Sequence, residues 1–173
     1  MSNLTIVTAD ELIARDVEGR GPARRSAREA PLPRRILRAF LERGGPIPLE
    51  ELVVDPAGGS ADAVRQALAR LDDEDVIRIR DGHVDLAYPF SAAPTAFVVR
   101  LPNGGERYAC CATDALGIAP MAGQRIEIRS RCHHCGTSLE LSATPDGPGR
   151  EAAGVMLWVG KRTEASCKAA DGL

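Results

Sequence analysis

The chain of 173 residues carries 22 Lys and Arg against 24 Asp and Glu, which gives a formal net charge of −2 at pH 7. This near balance provides no general attraction to nucleic acid, and an aromatic content of 3% argues against a surface that stacks single-stranded bases. No apolar run approaches the roughly 20 residues that a membrane-spanning helix needs. The N-terminus does not show the basic start, apolar core and small-residue cleavage site of a signal peptide, so we expect a cytoplasmic protein with no membrane partner.

Residues 1–32 are expected to form an N-terminal segment and a linker. A short apolar pattern at residues 4–13 indicates one short helix, and a run rich in Arg, Gly and Pro follows it. That run has too little apolar surface to offset the cost of ordering it. Seven arginines crowd this part of the chain and the start of the next, and we expect them to be solvated: Arg20, Arg24, Arg25, Arg28, Arg34, Arg35 and Arg38.

Residues 33–90 predict a winged-helix-like module. Apolar residues recur at helical spacing over residues 36–41, and Gly44 is expected to end this helix. A second, short helix follows, and Ser60 is a natural N-cap for a third. Two strands joined by an Asp-Gly turn at 81–82 complete the order helix, helix, helix, hairpin.

A DNA-binding role for this module is the weaker interpretation. Five acidic residues lie in the segment that would face the groove: Asp62, Asp72, Asp73, Glu74 and Asp75. Only Arg65 and Arg70 oppose them. A recognition helix must approach phosphates, and this one would be repelled along its C-terminal half. We therefore expect no DNA partner and a module that packs on the second domain, with a metal-responsive regulator as the alternative.

Residues 91–173 predict a small, mostly antiparallel β domain with short helices. Alternating or continuous apolar runs indicate strands at 96–99, 107–109, 126–130, 137–142 and 155–159. A short helix is predicted near 115–121, residues 89–94 are expected to be a joint of turn-forming residues, and Trp158 is expected in the core. Together with the helical module, this assigns the chain to the α+β class, with the thiols at strand ends and turns.

Five cysteines in a chain without an export signal are better interpreted as thiols or metal ligands than as disulfides. Four of them lie between positions 110 and 135. Cys132 and Cys135 form a C-x-x-C turn between two predicted strands, which is typical of a zinc knuckle. Cys110 or Cys111 could supply a third ligand and a neighbouring histidine a fourth, although a zinc ribbon usually has two C-x-x-C pairs. Zinc at Cys132 and Cys135 therefore stays one possibility.

The second possibility is a thiolate that acts as a nucleophile or binds a soft metal. Cys111 and Asp114 fall on one face if a helical turn starts here, because residues three apart are neighbours on a helix surface. A helix N-terminus favours the thiolate form of a cysteine through its dipole and free N–H groups. A carboxyl beside buried thiols also needs a reason to be there. The stretch therefore predicts a soft nucleophile and a proton carrier in one small site.

The stretch Tyr108-Ala109-Cys110-Cys111-Ala112-Thr113-Asp114-Ala115-Leu116, with Pro120 and Gly123 beyond it, resembles the active-site segment of the organomercurial (alkylmercury) lyases. That segment reads Tyr-Ala-x-Cys-Ala-x-Asp-x-Leu in the family. The order of the following segments, through Cys132, residues 139–142 and residues 151–155, also follows the family. The resemblance covers roughly residues 34–160.

The resemblance implies a lyase that cleaves the carbon–mercury bond by protonolysis. Cys111 would be the first catalytic thiol and Asp114 the acid that protonates the departing carbon, with no redox cofactor required. The substrate would be a small organomercurial, mercury would be both substrate and product, and low-molecular-weight thiols or a mercuric reductase would take Hg(II).

The resemblance also implies a second catalytic thiol, which the sequence leaves open. Cys167 is the candidate near the C-terminus, and Cys110 could substitute because it stands where the family often has a tryptophan. Cys135 is additional to the family pattern, and Cys132 is expected to be structural. All five cysteines, Cys110, Cys111, Cys132, Cys135 and Cys167, are therefore candidate mercury or metal ligands.

Overall fold

The computed structural model describes residues 6–8, 11, 30–54 and 60–158. Most of the predicted N-terminal helix, most of the Arg-rich run, the loop at 55–59 and the chain after Trp158 lie outside the described residues. Cys167 lies in that last part, so its predicted role stays a prediction. Within the described part of the chain, every helix is too short or too polar to cross a membrane.

The elements in chain order combine short helices with short strands. The helices are α1 Pro31–Arg43, α2 Leu49–Val54, α3 Ala61–Asp73 and α4 Ala112–Ala122, and a 3₁₀ helix spans Arg150–Ala152. The strands are β1 Ile47–Pro48, β2 Ile77–Arg80, β3 His83–Ala87, β4 Phe90–Ser91, β5 Phe97–Arg100, β6 Glu106–Ala109, β7 Ile126–Arg131, β8 Ser138–Thr144 and β9 Gly147–Pro148.

The described helices begin and end where local chemistry predicts. Gly44 follows α1 with φ 83°, a left-handed conformation that glycine adopts without strain, and its N–H bonds the carbonyl of Phe40. Ser60 caps α3, because its hydroxyl oxygen accepts a hydrogen bond from the N–H of Ala63 at 3.2 Å. Both predicted helix boundaries are confirmed.

The described strands pair into one antiparallel sheet in the order β1-β3-β4-β6-β5-β7-β8-β9, with β2 on the other side of β3. Strand β4 makes the sheet continuous, because Phe90 pairs with Ala87 of β3 and with Ala109 of β6. The strands that lie among the first three helices, β1, β2 and β3, therefore belong to the same sheet as the strands that follow residue 90. The α+β class is confirmed, whereas the winged-helix interpretation stays a prediction.

Strand β4 falls inside the predicted joint at 89–94, so that expectation was wrong in part. Strand β4 has only two residues between turn-forming residues, which is too short for an alternating hydrophobic pattern to be recognised in the sequence. Burial explains why it pairs, since Phe90 is fully buried and its ring stacks on Phe40 of α1 with centroids 5.9 Å apart. The stack joins the first helix to the centre of the sheet.

The predicted buried strand at 155–159 was wrong for the residues that the structure describes. Residues 155–158 have no strand partner, and Met156 and Trp158 are 63% and 75% exposed. The apolar run predicted a strand, but a strand is buried only when a neighbouring strand completes its backbone bonds. Among the described strands, β9 ends this side of the sheet and none pairs with the run. Trp158 is therefore not a core residue here.

Two arginines hold the helices α1 and α2 in place. Arg107 of β6 is buried, and its guanidinium donates to the carbonyls of Leu41 and Glu42 at 2.9 and 2.6 Å, at the end of α1. Arg35 of α1 donates to the carbonyls of Glu51 and Leu52 in α2. Arg35 was expected to be solvated, and the structure corrects this, because helix ends leave carbonyls that need donors.

The hydrogen bonds of the buried Arg107 guanidinium predict a loss of stability when this residue is replaced. Replacing the exposed Arg100 should have little effect. Replacing Arg107 with Ala should lower the free energy of unfolding by about 1–3 kcal/mol, because it leaves two carbonyls at the end of α1 without the donors that the buried guanidinium supplies. Arg100→Ala is the matched control, since its side chain is 52% exposed and pairs with Glu106 only at 3.7 Å. That change should stay within about 0.5 kcal/mol. Urea unfolding measures both, and equal losses would contradict the assignment.

Candidate active site

The candidate site lies where β6 runs into α4. Strand β6 ends at Ala109, α4 begins at Ala112, and Cys111 is the N-cap of the helix with an extended backbone (φ −152°, ψ 179°). The Cys111 sulfur accepts a hydrogen bond from the N–H of Asp114 at 3.4 Å, as a cap side chain does. A thiol thus takes the place that a hydroxyl or carboxylate oxygen has at most helix starts.

The carboxylate of Asp114 lies directly against this thiol. Cys111 Sγ donates a hydrogen bond to Asp114 Oδ2 at 3.0 Å, and both side chains are half-buried. The cap geometry brings them together, because it sets the N-cap side chain over the first turn in which Asp114 lies. The proximity predicted from the i, i+3 spacing is therefore present, while the catalytic roles of both residues stay predictions.

The electrostatics of the thiol differ from the expectation. Burial raises the pKa of Cys111 to about 11, and the negative charge of Asp114 and its hydrogen bond with the thiol act in the same direction. The backbone N–H groups of Asp114 and Thr113 lower the pKa, but they do not outweigh these causes. The expected low-pKa cysteine was wrong, because desolvation and a carboxylate neighbour both disfavour a second negative charge. At neutral pH the structure holds a thiol here, hydrogen-bonded to an acceptor.

The backbone that carries the site is fixed by two contacts that the sequence did not indicate. The hydroxyl of Thr95 donates to the carbonyl of Ala109 at 2.7 Å, and it also accepts from the N–H of Phe97 at 3.1 Å. The N–H of Cys110 donates to the carbonyl of Pro89 at 3.0 Å. Thr95 is therefore a positioning residue. A hydroxyl residue before an apolar strand is the signal that could have indicated it.

Cys110 is separated from solvent although it neighbours Cys111 in the chain. It is 5% exposed and belongs to a small buried cluster with Leu86 and Tyr88. A soft metal that reached Cys110 would have to displace this packing. Its predicted role as a substitute second thiol stays a prediction that the burial does not favour.

Cys132 and Cys135 lie in the turn that joins β7 to β8. The turn is closed by two backbone bonds, from the N–H of Cys132 to the carbonyl of Thr137 and from the N–H of Gly136 to the carbonyl of Cys132. Cys135 is exposed, and its sulfur lies 3.1 Å from the hydroxyl of Thr137. The side chain of Thr137 lowers the pKa of Cys135, and the side chain of Cys132 contributes in the same direction.

The predicted zinc site is not assembled in the described part of the chain. Among those residues, no three His, Cys, Asp or Glu side chains are grouped so that they could hold a metal ion. Cys110 and Cys111 therefore do not join Cys132 and Cys135 as ligands of one ion here. A structural zinc usually has four protein ligands, and the turn supplies two thiols.

Comparisons with known proteins first define the fold. The crystal structure of the mercury-bound form of MerB2 superposes with a TM-score of 0.55 at 21% sequence identity, covering 64% of this chain and 53% of that one. The two proteins therefore share the mixed helix and antiparallel-sheet fold over the parts that superpose.

Sequence comparisons match the same region to known proteins. The family model of MerB, alkylmercury lyase, matches residues 90–173. An alkylmercury lyase of Staphylococcus epidermidis (strain ATCC 12228 / FDA PCI 1200) is 30% identical over 112 residues, which are 65% of this chain and 50% of that protein. Residues 90–173 therefore resemble the alkylmercury lyases in sequence, as the active-site motif predicted. The chain spans about half the length of the relatives that it matches.

The raised pKa of Cys111 predicts how this thiol reacts with pH. Its alkylation by iodoacetamide should be slow at neutral pH and accelerate as the pH rises toward about 11, because the thiolate is the reactive form. Asp114→Asn should shift this profile to lower pH, since it removes the negative charge that raises the pKa.

Peptide mass spectrometry after trypsin treatment measures this reaction for each cysteine. Cys135 serves as the internal control, because its pKa depends on Thr137 and Cys132 and not on Asp114, so its profile should not change. An unchanged Cys111 profile in the Asp114→Asn protein would contradict the coupling.

Proposed function

We propose that this chain is an organomercurial lyase that cleaves carbon–mercury bonds by protonolysis at Cys111 and Asp114. The observation that carries the proposal is the 3.0 Å contact between Cys111 Sγ and Asp114 Oδ2 at the start of α4. The match of residues 90–173 to the family model of the alkylmercury lyases supports it. Sulfur is a preferred ligand for soft metals, and a nearby acid is what a carbanion-like leaving group needs.

The contact suggests the path of one proton. When an organomercurial cation R–Hg⁺ binds, the Cys111 thiol forms a sulfur–mercury bond and gives its proton to the Asp114 carboxylate that already accepts its hydrogen bond. The protonated Asp114 then delivers this proton to the carbon as the carbon–mercury bond breaks. The products are the hydrocarbon R–H and Hg(II) held by sulfur, so that no electrons are exchanged with a further reactant.

The high pKa of Cys111 fits this sequence of steps. A thiol that stays protonated until metal arrives carries the proton that the reaction consumes, and Asp114 is placed to move it. A second thiolate would weaken the carbon–mercury bond further by adding electron density to mercury. Cys167 is the candidate for that thiol within this chain, and a low-molecular-weight thiol can supply the same sulfur ligand from solution.

The proposed organisation gives the other parts of the chain different roles. We propose residues 1–32 as a leading segment, 33–90 as a winged-helix-like module that supports the thiol domain, and 91–173 as that domain. The module's contact through Arg107 supports a structural role for it. DNA binding finds no support in α3, where Arg65 is paired with Asp62 at 2.8 Å and Asp73 is exposed.

The test is turnover of phenylmercury or methylmercury under excess low-molecular-weight thiol, with the released hydrocarbon measured by gas chromatography. Asp114→Asn should reduce hydrocarbon release by about 10²–10⁴-fold, because it removes the general acid. The same variant should still retain mercury, since Cys111 keeps its sulfur. Glu127→Gln is the matched control, because it neutralises an exposed carboxylate on β7, and its turnover should equal that of the parent protein.

Two outcomes separate catalyst from trap. Loss of hydrocarbon release with retained mercury in the Asp114→Asn protein supports the proposed acid. No hydrocarbon from the folded parent protein, with mercury bound in stoichiometric amount, would contradict the lyase proposal and favour a soft-metal-binding relative.

A further inference from the structure

The turn between β7 and β8 carries a thiol pair that the proposed reaction does not use. Cys132 is half-buried, and Cys135 is exposed together with the two histidines between them. Residues of the turn are held by the backbone bonds that close it, and Gly136 has the left-handed φ of 72° that such a closure requires. The closed turn keeps the two cysteines on one short loop between neighbouring strands. The turn therefore presents one exposed thiol and one half-buried thiol.

The sheet places this turn at the same end as the candidate active site. Ala109 at the end of β6 pairs with Phe97, and Val98 pairs with Arg129 of β7. Continuing that antiparallel register by one residue sets Ser130 opposite Phe97, so Ala109 and Ser130 lie in one row across the sheet. Two strand spacings separate them, about 10 Å in total. The chain leaves this row toward Cys111 on one side and toward Cys132 on the other, each two residues further on.

The two thiols of Cys132 and Cys135 favour a mercuric ion over zinc. Two thiols without a third ligand from the described residues do not make the four-coordinate site that zinc requires. Mercuric ion is stable with two sulfur ligands in a linear arrangement, and thiolates are the ligands that soft metals prefer. We propose that Cys132 and Cys135 form a second mercury site, which binds inorganic Hg(II) through two thiolates.

The binding step is a ligand exchange in which electrons and protons balance. A mercuric bis-thiolate, R′S–Hg–SR′, meets the two cysteine thiols, two sulfur–mercury bonds to the protein form, and two R′SH molecules leave with the cysteine protons. Mercury stays in the +2 state throughout. That the ion comes from the neighbouring Cys111 site rests on the proposed function, whereas the binding itself does not.

The test is mercury binding by the full chain with Cys111→Ser and Cys167→Ser, reduced with a phosphine and mixed with Hg(II) and a competing monothiol. One equivalent of Hg(II) should stay bound, and X-ray absorption should show two sulfur neighbours. Adding Cys135→Ser should weaken binding by about 10²-fold or more, because the second thiol of a pair acts at a high effective concentration. Cys132→Ser should have the same effect, while Cys110→Ala should have none.

Trypsin provides an independent location of the ion. Cleavage after Arg131 and Arg150 puts Cys132 and Cys135 on a peptide of their own, and Cys110 and Cys111 fall on the separate peptide 108–125. Bound Hg(II) should protect both cysteines of 132–150 from alkylation in the Cys111→Ser, Cys167→Ser protein.

Three results would overturn the assignment: no retained equivalent, protection on the 108–125 peptide instead, or loss of binding in a His133→Ala, His134→Ala protein. Because the protein tested lacks Cys111, loss of Hg(II) binding at Cys132 and Cys135 can be distinguished from loss of the lyase reaction. A chain that binds Hg(II) here but releases no hydrocarbon keeps the second site and loses the proposed activity.

Discussion

The candidate site depends on the Cys111 side chain, which both accepts and donates a hydrogen bond at the start of α4. The Cys111 sulfur accepts the N–H of Asp114 and donates its own hydrogen to the carboxylate of the same residue. The first bond caps the helix, and the second places an acid beside a thiol. Since both bonds use the same two residues, the helix cannot begin here without forming the site. The surrounding contacts from Thr95 and Pro89 fix the strand end from which this turn starts.

This double role has an electrostatic consequence. A buried cap beside a carboxylate keeps its proton, so metal binding to Cys111 is also a proton transfer. A soft cation changes the balance, because the positive charge of mercury replaces the proton and removes the like-charge repulsion with Asp114. The exposed Cys135 has the opposite character, since the hydroxyl of Thr137 lowers its pKa and favours its charged form. The same end of one sheet thus presents thiols of two kinds.

The parts of the fold that the sequence predicted are those that local chemistry determines. A glycine with a left-handed backbone ends α1, a serine hydroxyl begins α3, and an i, i+3 spacing brings Cys111 to Asp114. The parts that it missed depend on distant partners. Strand β4 exists because β3 and β6 lie on either side of Phe90, and Arg35 is bound because the end of α2 lies beside it. The raised pKa of Cys111 was also missed, because it depends mainly on burial of the thiol, and burial cannot be inferred from the local residue pattern.

The exposed run before residue 159 has a practical meaning for the study of this protein. Trp158 is the one tryptophan in the sequence, and it is 75% exposed. The indole fluorescence of the entire chain therefore originates from this single position, where the ring is in contact with water. Its emission colour reports directly on whether anything covers residues 155–158, and nearby bound mercury would quench it as a heavy atom does. Trp158 is therefore an intrinsic fluorescent probe for the exposed surface at residues 155–158.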